Sequence, residues 1–169
     1  MNAGLTPFVR RTIHHRSRHL EGPRVKRHEV RAALVVRQWE FDRLVGSARA
    51  LLVNGTHLST PSVFAASVKA IEAARKGGTR VVFDVDYRPV LWGLAGKDQG
   101  ENRFVPSEAV TQRLQFILPF CDLIVGTEEE MRILGGHGDV IEAIRAVRIA
   151  TTALLICKLG AEGCVAFPG

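Results

Sequence analysis

From Val35 onward the chain alternates between short continuous apolar runs and longer stretches whose apolar residues recur three and four apart. The short runs are β-branched and aromatic and are bounded by Gly, Asn, Asp or Pro, which predicts buried strands. They fall at Ala50–Val53, Thr79–Asp84, Cys121–Val125 and Thr152–Cys157, with a last one at Cys164–Phe167. The longer stretches predict helices. Gln38–Ala48 brings Trp39, Phe41, Leu44 and Val45 to one apolar face. Pro61 to about Lys76 is capped by Ser59 or Thr60, kept slim by Ala65, Ala66, Ala70, Ala73 and Ala74, and closed by Gly77-Gly78. Ser107 to about Leu118 places Val110, Leu114 and Ile117 on one side before Pro119. A helix opened by Thr127 is broken at Gly135-Gly136, and Val140–Ile149 forms the last one.

Strand, helix and strand follow one another within about 35 residues, the signature of a βαβ unit with a right-handed crossover. Four such strands and a final tight hairpin predict an α/β domain with a mostly parallel sheet. No Gly-x-Gly-x-x-Gly follows the first strand and no Gly-x-x-x-x-Gly-Lys-Ser/Thr occurs, so neither a dinucleotide fingerprint nor a P-loop is present.

Composition changes this picture in two ways. Apolar residues make up 46% of the chain, yet no apolar run is long enough to span a bilayer, which favours a soluble, cytoplasmic protein without membrane contact. The N-terminus lacks an apolar signal core. Cys121, Cys157 and Cys164 form an odd set without metal-ligand spacing, and their apolar settings read as reduced core thiols. The net charge of +6 lies wholly in residues 1–34, which hold eight Lys/Arg against two Asp/Glu. Residues 35–169 hold fifteen of each, so the folded part has no basic excess to attract nucleic acid. Residues 1–34 have neither strand nor helix periodicity and carry four histidines, which reads as a disordered or non-native basic leader. A nucleic-acid arm and a transit peptide are the alternatives there.

The candidate chemistry gathers where strands end, since ligands of open parallel sheets bind outside the carboxyl ends of the strands. Val81–Leu94 (VVFDVDYRPVLWGL) starts as a strand and then places Asp84, Asp86 and Arg88 within one short polar stretch before Pro89. Two carboxylates and a guanidinium there suit an anionic or polyhydroxyl ligand; a solvated Asp86–Arg88 ion pair is the plain alternative. Asn54-Gly55-Thr56-His57 is a second polar cluster after a strand, with His57 read as serving its own turn. Gly126-Thr127-Glu128-Glu129-Glu130 is a third: Thr127 and Glu130 have capping-box spacing, and the carboxylates also suit Mg²⁺ held through water. Lys158-Leu159-Gly160-Ala161-Glu162-Gly163 turns the chain between the last two strands, either as ordinary turn chemistry or as amides facing a phosphate.

Taken in order, FDVDYRPVLW (83–92), DLIVGTEEEMRILGG (122–136) and LLICKLGAEGC (154–164) resemble the ribokinase-like (PfkB) carbohydrate kinases. The resemblance covers roughly residues 35–169. With NGTHLSTPS and KDQGENRF it is nearest to the inositol-catabolism branch, the 5-dehydro-2-deoxygluconokinases. The similar 2-dehydro-3-deoxygluconate kinases and fructokinases usually carry Asn where Asp86 stands. The resemblance implies a ribokinase-like three-layer sandwich and ATP-dependent, Mg²⁺-assisted phosphorylation of the terminal hydroxyl of a sugar acid. Asp84, Asp86 and Arg88 would form the substrate and phosphate edge, and Glu129 would organise Mg²⁺ through water. Lys158, Gly160 and Gly163 would lie along the nucleotide. The family's Asn at the start of its N-x-x-E motif falls on Gly126, a departure. Its D-T-x-G-A-G-D segment, bearing the general base, would come after Gly169, and its lid would come before residue 35. The sandwich is therefore expected to be incomplete and the chain weakly active or inactive. A non-catalytic α/β binding module is the alternative from another class, and the reading leaves homo-oligomerisation open.

Overall fold

The computed structural model describes residues 38–95 and 104–169; the readings of 1–34 as a leader and of 96–103 as part of a polar loop lie outside the described residues. In chain order the elements are α1 (Gln38–Ser47), β1 (Ala50–Asn54), α2 (Pro61–Gly77), β2 (Arg80–Asp84), α3 (Glu108–Gln115), β3 (Leu123–Thr127), α4 (Glu128–Gly135), α5 (Val140–Ala150), β4 (Leu154–Lys158) and β5 (Cys164–Phe167). The strands lie side by side in sequence order. β1 through β4 are parallel and β5 returns antiparallel to β4, as the alternation of strand and helix signals predicts.

Local chemistry sets the helix limits. α2 begins at a proline and ends at Gly78, whose φ of 75° lets its amide turn back to the carbonyls of Ala74 and Arg75. α5 is capped by Asp139, whose carboxylate accepts from the amides of Ile141 (2.9 Å) and Glu142 (3.0 Å).

Burial alternates along the strands. Val53, Val81, Phe83, Ile124, Leu155 and Cys157 are buried and share one core with Ile71, Ala74, Leu114, Met131, Leu134, Ile144 and Val147 from the helices. Phe83, Ile124 and Leu155 stand in register across three strands, each side chain contributing about 1.5–3 kcal/mol by leaving water. The alternate positions are partly or largely exposed, Leu52 at 64% among them. Among the described residues the helices thus cover one face of the sheet, and the second helical layer of a three-layer sandwich is not among them.

Three side-chain expectations change. Leu44 of α1 points outward at 56% exposure, because α1 lies against α2 at the margin of the core and needs only Val45 there. Ala65 and Ala66 are exposed, since α2 turns Ala70, Ile71 and Ala74 towards the sheet. Cys164 is exposed on the edge strand β5, whereas Cys121 and Cys157 are buried.

At the amino edge of the sheet Asp122 ties three strands together. Its carboxylate accepts from the Val81 amide (2.7 Å) and from Arg75 (3.0 Å). Its own amide donates to the Val81 carbonyl (2.8 Å), and its carbonyl accepts from Leu154 (3.1 Å).

Candidate functional site

The carboxyl ends of β1 and β2 run into two segments held against each other. A Cβ at Gly55 would lie 1.8 Å from the carbonyl oxygen of Val85, so only glycine allows the turn after β1 to approach the chain after β2 this closely. Val85 continues the pairing beyond β2 through an amide donated to Val125 (2.9 Å). Asp86 then takes a φ of 27°, the left-handed region that Asn and Asp tolerate better than other side chains. That preference gives a physical reason for Asp at this position. Tyr87 is buried and donates its hydroxyl to the Val105 carbonyl (2.6 Å), and burial pushes its phenol pKa up. The backbone on both sides of Asp86 is therefore anchored.

The side chains on this edge form a connected set. Asn54 accepts at Oδ1 from the amide of Thr56 (2.9 Å) and from its hydroxyl, and it donates from Nδ2 to Oδ2 of Asp86 (3.0 Å). The other oxygen of Asp86 accepts from Nε of Arg88 (3.0 Å). A guanidinium held through Nε keeps its terminal Nη pair, the fork that meets a carboxylate or phosphate bidentately. Nearly half of the Arg88 side chain (46%) is exposed.

The ends of β3 and β4 close the other side. Thr127 and Glu130 form the expected capping box: the Glu130 amide donates to Thr127 Oγ1 (3.3 Å), and Glu130 Oε2 accepts from the Thr127 amide (2.7 Å). Glu130 is thereby buried, while Glu129, one residue earlier, is exposed. Lys158 reaches back across β3, with Nζ 3.6 Å from Asp84 Oδ1 and 4.0 Å from Glu130 Oε2. Asp84 Oδ1 is shut off from solvent and accepts no hydrogen bond among the described residues, so the Lys158 charge is what balances it. Glu128 and Glu129 both raise the pKa of the Cys157 thiol, though burial is the larger cause.

Gly126 has little room for a side chain. A Cβ there would meet Val85 Cγ2 at 3.2 Å, with Glu130 Cβ and Met131 Cε at 3.3 Å. A side chain there would require those neighbours to give way by a few tenths of an ångström. In the hairpin, Gly160 and Gly163 have φ of 61° and 99°, and the Gly163 amide donates to the Gly160 carbonyl (3.2 Å). Leu159 donates to the Gly163 carbonyl (2.7 Å). The turn thus spends these amides on its own closure. His57 is exposed in the short helical turn that Asn54 caps.

The structure therefore brings Asp84, Asp86, Arg88 and Lys158 to one edge, with Glu129 and the hairpin glycines at neighbouring strand ends. Sequence reasoning placed Asn54 in a polar cluster after a strand, and Glu130 in the capping box and among carboxylates suited to Mg²⁺, but gave neither a partner on another strand. The signal for Asn54 was its place as the last residue of a strand whose neighbour ends in Asp84. Among the described residues no group of three His, Cys, Asp or Glu side chains converges on one point. The exposed carboxylate of Glu129 is the kind of single group on which a cation that keeps its waters, such as Mg²⁺, leans.

No protein-family profile matches the chain. It is 32% identical over 123 residues to a 5-dehydro-2-deoxygluconokinase of Halalkalibacterium halodurans, covering 71% of this chain and 34% of that protein. The fold is similar to the crystal structure of a PfkB protein from Polaromonas sp. JS666, with a TM-score of 0.58 and 26% identity. That match covers 74% of this chain and 39% of the other. Over about three quarters of its length the chain is therefore similar, in sequence and in fold, to ribokinase-like (PfkB) carbohydrate kinases. The same PfkB fold relates it to a fructokinase from Vibrio cholerae O395 bound to fructose, ADP and calcium, with a TM-score of 0.58, 20% identity, and coverage of 72% of this chain and 37% of that one. The chain spans about a third of the length of the curated relatives it matches. Among the described residues no helix is long and apolar enough to cross a membrane.

Proposed function

We propose that the carboxyl edge of this sheet is the substrate and phosphate edge of an ATP-dependent sugar-acid kinase, phosphorylating the terminal hydroxyl of 5-dehydro-2-deoxygluconate or a close analogue. The observation that carries the reading is the convergence of Asp84, Asp86, Arg88 and Lys158 outside the carboxyl ends of β2 and β4. Phosphoryl transfer asks chiefly for positioning and for cationic groups near the charge on the transferring oxygens. Arg88 serves as the anion-binding fork. Asp86 holds that fork, and Asp84 orders the same edge through Lys158. Lys158, Gly160 and Gly163 flank the nucleotide side, the lysine as a mobile charge and the glycines as a turn with no side chain to obstruct a phosphate. Glu129 would hold Mg²⁺ through water, and the ion, when bound, would supply positive charge against the phosphates. The name of the curated relatives supports the sugar-acid substrate, and the fructokinase bound to fructose, ADP and a divalent cation supports the ligand classes.

The test is a titration of ¹⁵N-labelled chain with 5-dehydro-2-deoxygluconate and, separately, with ATP and Mg²⁺. Amide shifts should concentrate at 84–88 for the sugar acid and at 126–129 and 158–163 for the nucleotide. Shifts absent from both regions, or unchanged by Arg88→Ala, would sink the assignment.

A further inference from the structure

Asn54 lies on a different strand from Arg88, and the two are joined through a single carboxylate. Both donors of Thr56 occupy Asn54 Oδ1, which forces the amide NH₂ towards Asp86, where Nδ2 meets Oδ2 at 3.0 Å. The remaining oxygen of Asp86 faces Nε of Arg88, also at 3.0 Å. Asp86 itself is fixed by a left-handed backbone, and the turn bearing Asn54 is pressed on Val85 at Gly55. Each link in the series Thr56, Asn54, Asp86, Arg88 is therefore held by the one before it. An Asp–Arg pair on a surface ordinarily samples many geometries and contributes little. Here the carboxylate is presented with one oxygen already committed.

We infer that Asn54 is a positioning residue for anion recognition: by holding Asp86 it aims the Arg88 fork at an anionic oxygen pair of the ligand. This rests on the reading of the edge given above and adds to it a residue and a mechanism. The shared ligand chemistry is a planar or tetrahedral set of anionic oxygens, supplied by a sugar-acid carboxylate or by a phosphate.

The polarity of the hydrogen bond allows a test in which two explanations differ in sign. Asp86→Asn removes a negative charge next to Arg88, and electrostatics alone would tighten anion binding. With an amide at both positions, the one at 86 cannot satisfy Asn54 and Arg88 at once, because the two donors face different oxygens of Asp86 and an amide offers only one acceptor atom. The positioning role therefore requires weaker binding, by about tenfold for the loss of one charge-assisted hydrogen bond. Asn54→Asp combined with Asp86→Asn restores the net charge and reverses the bond. The amide now at position 86 donates to the carboxylate now at position 54 and accepts from Arg88.

The measurement is an NMR titration of the 169-residue chain at constant low ionic strength. Gluconate is the carboxylate probe and inorganic phosphate the other, each run on wild type, Arg88→Ala, Asp86→Asn and the exchanged pair. Support is an Arg88-dependent response to one probe, a loss of about tenfold in Asp86→Asn, and recovery to within about threefold in the exchanged pair. The responding probe identifies carboxylate or phosphate as the ligand group. No Arg88-dependent response to either probe overturns the anion edge and the positioning role together. An Arg88-dependent response that Asp86→Asn leaves equal or tighter, or that the exchanged pair does not recover, overturns the positioning role alone. Should Asp86→Asn fail to fold, Asn54→Ala in wild-type and Arg88→Ala backgrounds takes its place. The inference then requires weakening in the first background and none in the second.

Discussion

Two Arg–Asp pairs of the same 3.0 Å length sit at opposite edges of the sheet, with their arginines equally exposed at 46%. At the amino edge Asp122 uses the oxygen that meets Arg75 to cap the Val81 amide as well, and its backbone bonds join β2, β3 and β4. At the carboxyl edge Asp86 bonds through its side chain to other side chains, Asn54 and Arg88. The first arrangement replaces hydrogen bonds that the strands would otherwise lack; the second orders groups that remain partly in water. A salt bridge read from sequence or from distance alone does not separate these cases. What the carboxylate does for the backbone does.

The sharpest way to break the comparison is to remove the backbone contact under the carboxyl edge. Gly55→Ala sets a methyl against the Val85 carbonyl, where neither partner is a flexible side-chain end, and should cost about 3 kcal/mol or more in urea unfolding. A stable Gly55→Ala protein with unaltered anion binding would mean that the two loops are not fixed to each other. Next in size, Asp122→Ala orphans the Val81 amide and should cost about 2 kcal/mol while leaving the carboxyl edge intact.

The amino edge also predicts an alkaline weakness. Burial, and then the adjacent Asp122, push the Cys121 thiol from its ordinary 9.0 up to about 12, against a smaller opposing pull from Arg75. The folded state thus keeps a proton that the unfolded chain releases. Stability should hold below about pH 9 and fall as pH climbs towards 12, with a slope on the order of 1 kcal/mol per pH unit. Cys121→Ala should flatten that slope; Cys157, raised in the same direction, keeps part of it. An unchanged slope in Cys121→Ala would place the titration elsewhere. The smallest stability effect belongs to Arg88→Ala, no more than about 0.5 kcal/mol, together with loss of anion binding. A large loss of stability there would make the two pairs alike after all.

Much of the fold was legible because its signals are local. Pro61, Gly78 and the Thr127–Glu130 box act within a few residues of themselves, so their helix ends could be read directly. The strands were legible because β-branched runs between breakers have few other uses. Leu44 and Cys164 were misplaced because exposure depends on which neighbours reach an element, and both lie at the margin of the packed region.

The candidate site divides along the same line. Sequence by itself determined that Asp84, Asp86 and Arg88 stand at the end of a strand, that three carboxylates open α4, and that a glycine turn precedes β5, since chain order and backbone period are enough for that. Tertiary structure alone decided that Lys158 balances Asp84 across an intervening strand, that a side chain at Gly126 would press on Val85, Glu130 and Met131, and that Asn54 holds Asp86. The physical reason is separation along the chain. Asn54 and Asp86 are 32 residues apart, and only the parallel register of β1 against β2 places an amide donor within 3.0 Å of a carboxylate.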